Sequence, residues 1–251
     1  MTDLWDSPPR RPHLHPGEVH LWLKRSCPPD PRDIRLLDPG EQARMANFRH
    51  ERERVAFACA RAFLRRTLSG YLDVDPAGVR FVAGRWGRPE PAQEHGASSP
   101  LSFSLAHSED IVLLAVSLHP VGVDVEAIRE LPDVDQLVER TLTAAETELL
   151  IQGGESHRSR SFLQLWTRKE AFLKGIGVGL AVAPEDADVA FPEFPVLRTT
   201  VPGLSPEAAG GWRIISVHPT PEAVGALAVQ GVDARLHRFE APRAGDGAQH
   251  P

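Results

Sequence analysis

The sequence LWTRKEAFLKGIGVGL, residues 165–180, begins with the pattern of a helix and ends in a run of glycines. Apolar residues recur three and four positions apart from Phe162 to Leu173, which predicts an amphipathic helix with one apolar stripe. Glu170 and Lys174 are four residues apart, so they lie side by side on one face of that helix. An isolated pair of this kind is typical of an ordinary surface ion pair.

A second acidic segment, VGVDVE at residues 121–126, alternates apolar and acidic residues as a strand does. Successive side chains of a strand point to opposite faces, so Asp124 and Glu126 share a face, with their α-carbons about 7 Å apart. Both carboxylates can therefore reach one cation, although a solvent-facing strand has the same alternation. Magnesium usually takes a few carboxylates and completes its shell with water and substrate phosphate oxygens, so three carboxylates, counting Glu170, suit such a site.

His107 ends a short predicted strand over residues 101–108, just upstream of the acidic pair. A lone histidine there is more often structural, but with Lys174 it offers positive or hydrogen-bonding groups next to the carboxylates. Such groups neutralise the charge that builds up when a phosphate ester is displaced. The combination favours phosphoryl-transfer chemistry.

Composition narrows the classes of protein. The chain has 251 residues, 41% hydrophobic and 25% charged, which is enough for one large domain or two small ones. A net charge of -6 gives no overall basic field, so we expect no nucleic-acid partner, and any anion must be held locally. No segment has the pattern of a signal or a membrane span, and Cys27 and Cys59 lack metal-site or redox-pair spacing. These features predict a cytoplasmic protein that does not contact membranes.

Local patterns predict further elements. Asp38, a proline after it and Glu41 predict a capped helix start, and a longer, arginine-rich helix is predicted over about residues 49–72. Its arginines are interpreted as a solvated face that can also receive an acidic partner. The other predicted strands are near residues 19–23, 79–83, 111–117, 189–191, 212–217 and 224–229, and the other predicted helices cover about 134–142 and a segment capped by Thr143.

Several motifs together resemble those of the 4'-phosphopantetheinyl transferases, in particular the larger, Sfp-type branch. The motifs are Gly87-Arg88-Pro89, FSLAHS at 103–108, GVDVE at 122–126, WTRKEAFLK at 166–174 and GVGL at 177–180. They occur in the family's order, and the resemblance covers roughly residues 18–235. The acidic pair together with the Trp-x-x-Lys-Glu-x-x-x-Lys block is highly specific, whereas Gly-Arg-Pro alone is weak.

The resemblance implies an α+β fold, the 4'-phosphopantetheinyl transferase-like fold. Two similar α/β halves would be related by a pseudo-twofold axis within one chain, with coenzyme A in the cleft between them. The N-terminal half would cover residues 18–119, and the C-terminal half, with the metal site, residues 120–235. Residues 1–17 and 236–251 are expected to be flexible tails.

The resemblance also implies a reaction of the holo-[acyl-carrier-protein] synthase type. A serine of an acyl or peptidyl carrier protein attacks the diphosphate of coenzyme A, 4'-phosphopantetheine moves to the serine, and adenosine 3',5'-bisphosphate leaves. Asp124, Glu126 and Glu170 would hold magnesium, with manganese as the alternative. Glu170, directly or through a water on the metal, would be the base for the serine hydroxyl. The enzyme is expected to act as a monomer.

The remaining roles concern the phosphates of coenzyme A. Lys174 would stabilise or protonate the leaving phosphate, and His107 would contact a phosphate of coenzyme A. Arg88 and Arg44 match basic positions near its 3'-phosphate. One departure from some relatives is Ala106, which stands where they have serine and offers no hydroxyl for a phosphate hydrogen bond.

Two other functions use the same residues. One is another magnesium-dependent phosphoryl or nucleotidyl transferase with a different substrate. The other is a non-catalytic protein that binds coenzyme A or a carrier protein, in which Glu170→Gln would change little.

Overall fold

The computed structural model describes residues 2–25, 31–84, 88–92, 101–231 and 234–242. Its helices are α1 (Pro31–Ile34), α2 (Pro39–Ala46), α3 (Glu51–Leu72), α4 (Val134–Thr141), α5 (Ala144–Gln152), α6 (Arg158–Ile176) and α7 (Pro206–Ala209). Its strands are β1 (Glu18–Arg25), β2 (Phe81–Ala83), β3 (Pro89–Pro91), β4 (Ser102–Ser108), β5 (Ile111–Ser117), β6 (Val121–Ala127), β7 (Ala187–Asp188), β8 (Val196–Leu197), β9 (Trp212–Thr220), β10 (Ala223–Gln230) and β11 (Arg235–Glu240). Gly87 of the Gly-Arg-Pro motif and Cys27 lie outside the described residues, whereas Cys59 is buried and unpaired.

Two sheets organise the molecule. One has the strand order β11-β1-β5-β4, with β1 parallel to β11 and antiparallel to β5. The other has the order β6-β10-β9, in which both pairings are antiparallel. In the first sheet β1 precedes the long helix α3 and pairs with β5, the second strand of the hairpin β4–β5. In the second sheet β6 precedes the long helix α6 and pairs with β10, the second strand of the hairpin β9–β10. The chain therefore uses the same strand order twice.

Apolar side chains of both sheets meet in one core. Among its members are Leu21 and Leu23 from β1, Leu113 from β5, Val123 from β6 and Leu227 from β10. The opposite face of the first sheet packs on α3, and the opposite face of the second packs on α6. All seven residues of β5 are buried, which explains why its sequence is almost wholly apolar.

Side-chain caps fix several helix starts as the sequence predicts. Glu41 N donates to Asp38 Oδ1 at 2.9 Å, and Asp38 N donates to Glu41 Oε2 at 2.9 Å, which completes a capping box at α2. Thr143 and Glu146 form the same arrangement at α5. The left-handed region at Gly177, with φ of 83°, ends α6.

The described parts of the terminal segments contact the rest of the chain. Asp3 N donates to His218 O at 3.0 Å, and Glu240 N donates to Asp6 O at 3.0 Å, while Leu14 is buried. Residues 235–240 form β11 beside β1, because Phe239 packs on the ring of Trp22 at 4.9 Å and covers apolar surface. Residues on both sides of the predicted halves therefore make hydrogen bonds or packing contacts with the body of the chain.

Two further expectations change. The strand predicted at residues 189–191 is wrong: the pairing lies at β7 and β8, and Val189 N instead donates to Glu146 Oε1 at 2.8 Å. The five arginines of α3 are also less available than the sequence suggested, because each is paired with an acidic residue. The pairs are Arg52–Glu109, Arg54–Glu51, Arg61–Glu41, Arg65–Asp38, Arg65–Glu41 and Arg66–Asp33.

Across the described part of the chain, every helix is too short or too polar to span a membrane.

Candidate active site

Two glycines bring α6 against β6. A Cβ on Gly122 would lie 2.0 Å from the carbonyl oxygen of Ala171 and 2.3 Å from the backbone nitrogen of Gly175. A Cβ on Gly175 would lie 2.4 Å from the ring of Trp212. Because no side chain fits at either position, the helix backbone can lie directly on the strand. This close approach brings Lys174 of α6 within reach of the acidic residues of β6.

Asp124 is the most enclosed of the three predicted metal ligands. Its Oδ1 accepts a hydrogen bond from Lys174 Nζ at 2.6 Å, whereas its Oδ2 is shielded from solvent and has no hydrogen-bond partner. Burial raises the pKa of Asp124 to about 7; Lys174 opposes that rise, and the negative charges of Glu170 and Glu126 add to it. A buried carboxylate oxygen without a partner is costly, so Asp124 Oδ2 is suited to receive a cation.

The carboxylates of Glu126 and Glu170 lie near enough to Asp124 for their charges to affect its pKa. Burial raises the pKa of Glu170, Lys174 opposes this, and the negative charge of Glu126 adds to it. Glu126 Oε2 accepts hydrogen bonds from Ser108 Oγ at 3.0 Å and from Arg129 Nη1 at 3.1 Å.

The three carboxylates are not gathered into a ready-made ligand group. Within the ranges that the structure describes, one group of three His, Cys, Asp or Glu side chains has ligand atoms all within 4.8 Å of one another, and it lies elsewhere, at Glu18, His20 and His237. Asp124, Glu126 and Glu170 therefore interact electrostatically but need side-chain rotation to surround one ion.

A cavity of about 590 Å³ opens next to this cluster through Lys174, which belongs to both. Four predicted coenzyme A contacts, Arg44, Arg88, His107 and Lys174, line it. The other lining residues are Phe57, Ala60, Arg61, Pro89, Phe103, Ser104, Leu105, Gly177 and Gly179. The mixture of apolar walls with several cationic groups is suited to an elongated anionic ligand.

His107 and Arg44 lie on the wall contributed by β4 and α2. Burial lowers the pKa of His107, and the positive charges of Lys174 and Arg44 lower it further, while the negative charge of Glu126 opposes this. Part of the residue is nevertheless exposed to solvent. The neutral ring retains one N–H donor. Arg44 is exposed and lies over the ring of Phe57 at 5.4 Å, so its guanidinium keeps donors for a ligand.

The guanidinium of Arg88, which the resemblance places near a phosphate, donates hydrogen bonds to backbone carbonyl oxygens. Its Nη1 donates to the carbonyl oxygens of Lys174 at 2.9 Å and Gly175 at 3.0 Å. Its Nη2 donates to the carbonyl oxygens of Phe103 and, at 2.8 Å, Val121. The guanidinium thus joins the end of α6 to β4 and β6.

Ala106, the departure noted in the sequence, does not face the cavity. It is buried in the core shared by the two sheets, next to valines of β6. Ser104, two residues earlier on β4, accepts a hydrogen bond at its Oγ from Val123 N at 3.0 Å. The alanine therefore serves the contact between β4 and β6.

Comparison with known proteins identifies the family of this chain. A family model described as the 4'-phosphopantetheinyl transferase superfamily matches residues 120–229. The sequence is 32% identical to the 4'-phosphopantetheinyl transferase HetI of Nostoc sp. over 238 residues, which cover 92% of this chain and 95% of HetI. This chain belongs to the 4'-phosphopantetheinyl transferase superfamily.

Other relatives of this transferase are more distant. The 4'-phosphopantetheinyl transferase Sfp of Bacillus subtilis is 23% identical over 151 residues, which cover 60% of this chain and 65% of Sfp. The human L-aminoadipate-semialdehyde dehydrogenase-phosphopantetheinyl transferase is 26% identical over 155 residues, 59% of this chain and 50% of the relative. The crystal structure of the Thermotoga maritima holo-[acyl-carrier-protein] synthase overlaps with a TM-score of 0.33 and 22% identity, over 45% of this chain and 63% of that one.

Sequence reasoning assigned no role to Lys169, although it stands inside the transferase motif. Its side chain is fully buried, and its Nζ lies 2.7 Å from Glu146 Oε2 and donates to Pro184 O at 3.0 Å. The signal was present as a lysine on the predicted apolar side of a helix, which requires a buried acidic partner. Nothing in the sequence pointed to Glu146, because the partner comes from a separate helix.

Proposed function

We propose that this chain transfers 4'-phosphopantetheine from coenzyme A to a serine of an acyl or peptidyl carrier protein. The observation that carries the proposal is the junction of α6 and β6, where Lys174 links three interacting carboxylates to a cavity with cationic walls. Membership of the transferase superfamily makes this chemistry the expected use of that junction. The serine oxygen forms a bond to the phosphorus next to pantetheine, and the diphosphate bridge breaks.

The cavity wall would bind the phosphates of coenzyme A. Arg44 keeps donors for a phosphate while its guanidinium rests on Phe57, and His107 offers one N–H. Arg88 contributes less than the resemblance implies, because both its terminal nitrogens donate to carbonyl oxygens. We therefore assign the 3'-phosphate contact to Arg44 and treat Arg88 as a support for the cavity wall.

Proton transfer would involve the two neighbours on α6. Glu170 accepts the proton of the serine hydroxyl, and its raised pKa brings its basicity closer to neutral pH. Lys174 neutralises or protonates the oxygen of the departing adenosine 3',5'-bisphosphate. As Lys174 turns to the leaving group, Asp124 loses its hydrogen bond and needs another positive partner.

Asp124, Glu126 and Glu170 fit a magnesium or manganese ion as oxygen ligands. The buried Oδ2 of Asp124, which has no hydrogen-bond partner, supports this assignment. So do the raised pKa values of Asp124 and Glu170, which burial raises most and the negative charge of Glu126 raises further. When bound, such an ion supplies charge neutralisation for the diphosphate.

The repeated strand order supports a division into two halves, residues 18–119 and 120–235, related by a pseudo-twofold axis. Coenzyme A would lie at their junction, where the cavity has walls from β4 and α6. We propose that the enzyme acts as a monomer in the cytoplasm, with a carrier protein rather than nucleic acid or a membrane as its partner. Light scattering of the purified chain tests the monomer.

The deciding experiment incubates the protein with coenzyme A, magnesium and a panel of apo carrier proteins, followed by mass spectrometry of the carriers. We expect at least one carrier to gain one phosphopantetheine group on serine, with release of adenosine 3',5'-bisphosphate. Chelation should stop the gain, and added magnesium or manganese should restore it. If no carrier in a broad panel gains mass, while coenzyme A still binds, the proposal is overturned in favour of a non-catalytic binding protein.

A further inference from the structure

A second cluster of chemically active side chains lies where β1 and β11 run parallel. Glu18 and His20 are two residues apart on β1, so their side chains share one face. The register places His237 of β11 directly beside His20. The β1 face that carries His20 also meets Tyr71 of α3.

The spacing of the ligand atoms approaches that of a metal site. Glu18 Oε2 lies 3.8 Å from His20 Nε2, and Glu18 Oε1 lies 3.5 Å from His237 Nε2. One ligand atom from each of the three residues lies within 4.8 Å of the other two. Ligands of a tetrahedral zinc ion are about 3.3 Å apart, given metal–ligand distances of about 2.0–2.1 Å. Small side-chain rotations are therefore enough to surround an ion.

One of these atoms is buried and makes no hydrogen bond. Glu18 is 8% exposed and His20 is 4% exposed. The Nε2 atom of His237 is shielded from solvent and makes no hydrogen bond, although the rest of that side chain is partly open. A buried ring nitrogen in this state requires an explanation, and a bound cation supplies one.

The far side of His20 is already fixed. Its Nδ1 lies 2.7 Å from the hydroxyl of Tyr71, which also accepts a hydrogen bond from Trp22 Nε1 at 2.9 Å. Histidines that bind metals usually hold their second ring nitrogen in such a hydrogen bond. The arrangement directs Nε2 of His20 towards Glu18 and His237.

An ordinary ion-pair cluster is the competing interpretation. Arg235 Nη1 lies 3.8 Å from Glu18 Oε1, and His15 N donates to Glu18 Oε2 at 2.9 Å. Arg235 is largely exposed and its contact is long, so it does not account for the buried nitrogen of His237. An ion-pair cluster would also not bind a metal at a fixed stoichiometry.

From this geometry we infer that Glu18, His20 and His237 bind one divalent transition-metal ion of the zinc class. Two imidazoles and one carboxylate favour zinc over magnesium or calcium, which prefer shells made of oxygen. Three protein ligands leave a fourth position for water or for the imidazole of His15. The ion ties the last described strand of the chain to its first, away from the residues assigned to transfer.

The test is a zinc titration of the metal-stripped full chain in excess magnesium, which competes with zinc for the carboxylates of Asp124, Glu126 and Glu170. A chromophoric chelator competes for zinc, and elemental analysis after dialysis gives the stoichiometry. We expect one zinc per chain and a rise in melting temperature. His237→Ala should weaken zinc binding at least about tenfold and remove the rise. His119→Ala is the matched control, since His119 is exposed outside the cluster, and it should bind zinc as the parent does.

Tyr71→Phe is a second test variant: it removes the hydroxyl beside His20 Nδ1 and keeps the aromatic ring of residue 71. It should weaken zinc binding without removing it, because the three ligands remain. X-ray absorption at the zinc edge should show one imidazole ligand fewer in His237→Ala than in the parent. Absence of zinc from the parent, or equal zinc binding by His237→Ala and His119→Ala, would overturn the inference.

Discussion

At the scale of single residues, a substitution of Glu170 can separate an effect on the transfer rate from an effect on the stability of the fold. Glu170→Gln keeps the size of the side chain but cannot accept the serine proton or bind a cation as a carboxylate. We expect the rate of phosphopantetheine transfer to fall at least about 10²-fold. The melting temperature should stay close to that of the parent, because Glu170 is only half-buried. Steady-state assays and calorimetry measure the two effects.

Glu148→Gln is the control for this substitution, since Glu148 is an exposed residue of α5. It should leave both rate and stability unchanged. Retention of the parental rate by Glu170→Gln would remove Glu170 from the mechanism.

Lys169 makes a different prediction because its ion pair with Glu146 is fully buried. Lys169→Met leaves the carboxylate of Glu146 without its cation in the interior. The free energy of unfolding should fall by about 3–5 kcal/mol, the usual effect of breaking a buried pair. Urea denaturation measures it. The double variant Lys169→Met/Glu146→Gln should recover part of the loss, and a single variant as stable as the parent would contradict a structural role for the pair.

The residues of the site were predictable to different degrees. Strand periodicity pairs Asp124 with Glu126, and helix periodicity pairs Glu170 with Lys174. The resemblance to the transferase family implies that the two pairs share one site. Arg88 shows where such reasoning stops: a motif places the residue, but carbonyl oxygens from three separate elements use its donors. Long-range partners of this kind leave no trace in local spacing.

At the scale of elements, the contact between α6 and β6 depends on Gly122. Gly122→Ala would bring a methyl group against the carbonyl oxygen of Ala171, within the backbone of the helix rather than a movable side chain. We expect the unfolding free energy to fall by at least about 1–3 kcal/mol. The transfer rate should fall as well, because α6 moves relative to Asp124.

Gly78→Ala is the comparison, since no atom lies within 4 Å of a Cβ there. It should leave the rate and stability near parental values. Equal behaviour of the two variants in urea denaturation and in the transfer assay would show that the helix does not need the close approach.

The elements themselves were largely predictable, and the exceptions have physical causes. Capping boxes at α2 and α5 and the glycine end of α6 are local signals, and they appear as expected. The segment at residues 235–240 reads as polar, yet it forms β11 because β1 offers an unpaired edge to it. An edge strand gains its stability from a distant partner, which local pattern does not reveal.

At the scale of the whole molecule, the Arg88 guanidinium connects β4 in one sheet with β6 in the other and with the end of α6. Arg88→Lys keeps the positive charge but replaces the planar fork with a single ammonium group, which cannot reach the same set of carbonyl oxygens. We expect a loss of about 1–3 kcal/mol for each buried carbonyl left without a donor. The affinity for coenzyme A, measured by calorimetry under conditions where the variant is folded, should change little by comparison.

Arg140→Lys on the exposed face of α4 is the matched control, and its urea midpoint should equal that of the parent. The two possible roles of Arg88 give opposite patterns. If Arg88 binds a phosphate, Arg88→Lys should weaken coenzyme A binding and leave the stability of the protein unchanged. If Arg88 connects the two sheets, the substitution should lower the stability first. Unchanged stability of Arg88→Lys with a weakened affinity for coenzyme A would therefore return Arg88 to the phosphate site and leave the junction of the two sheets to the apolar core alone.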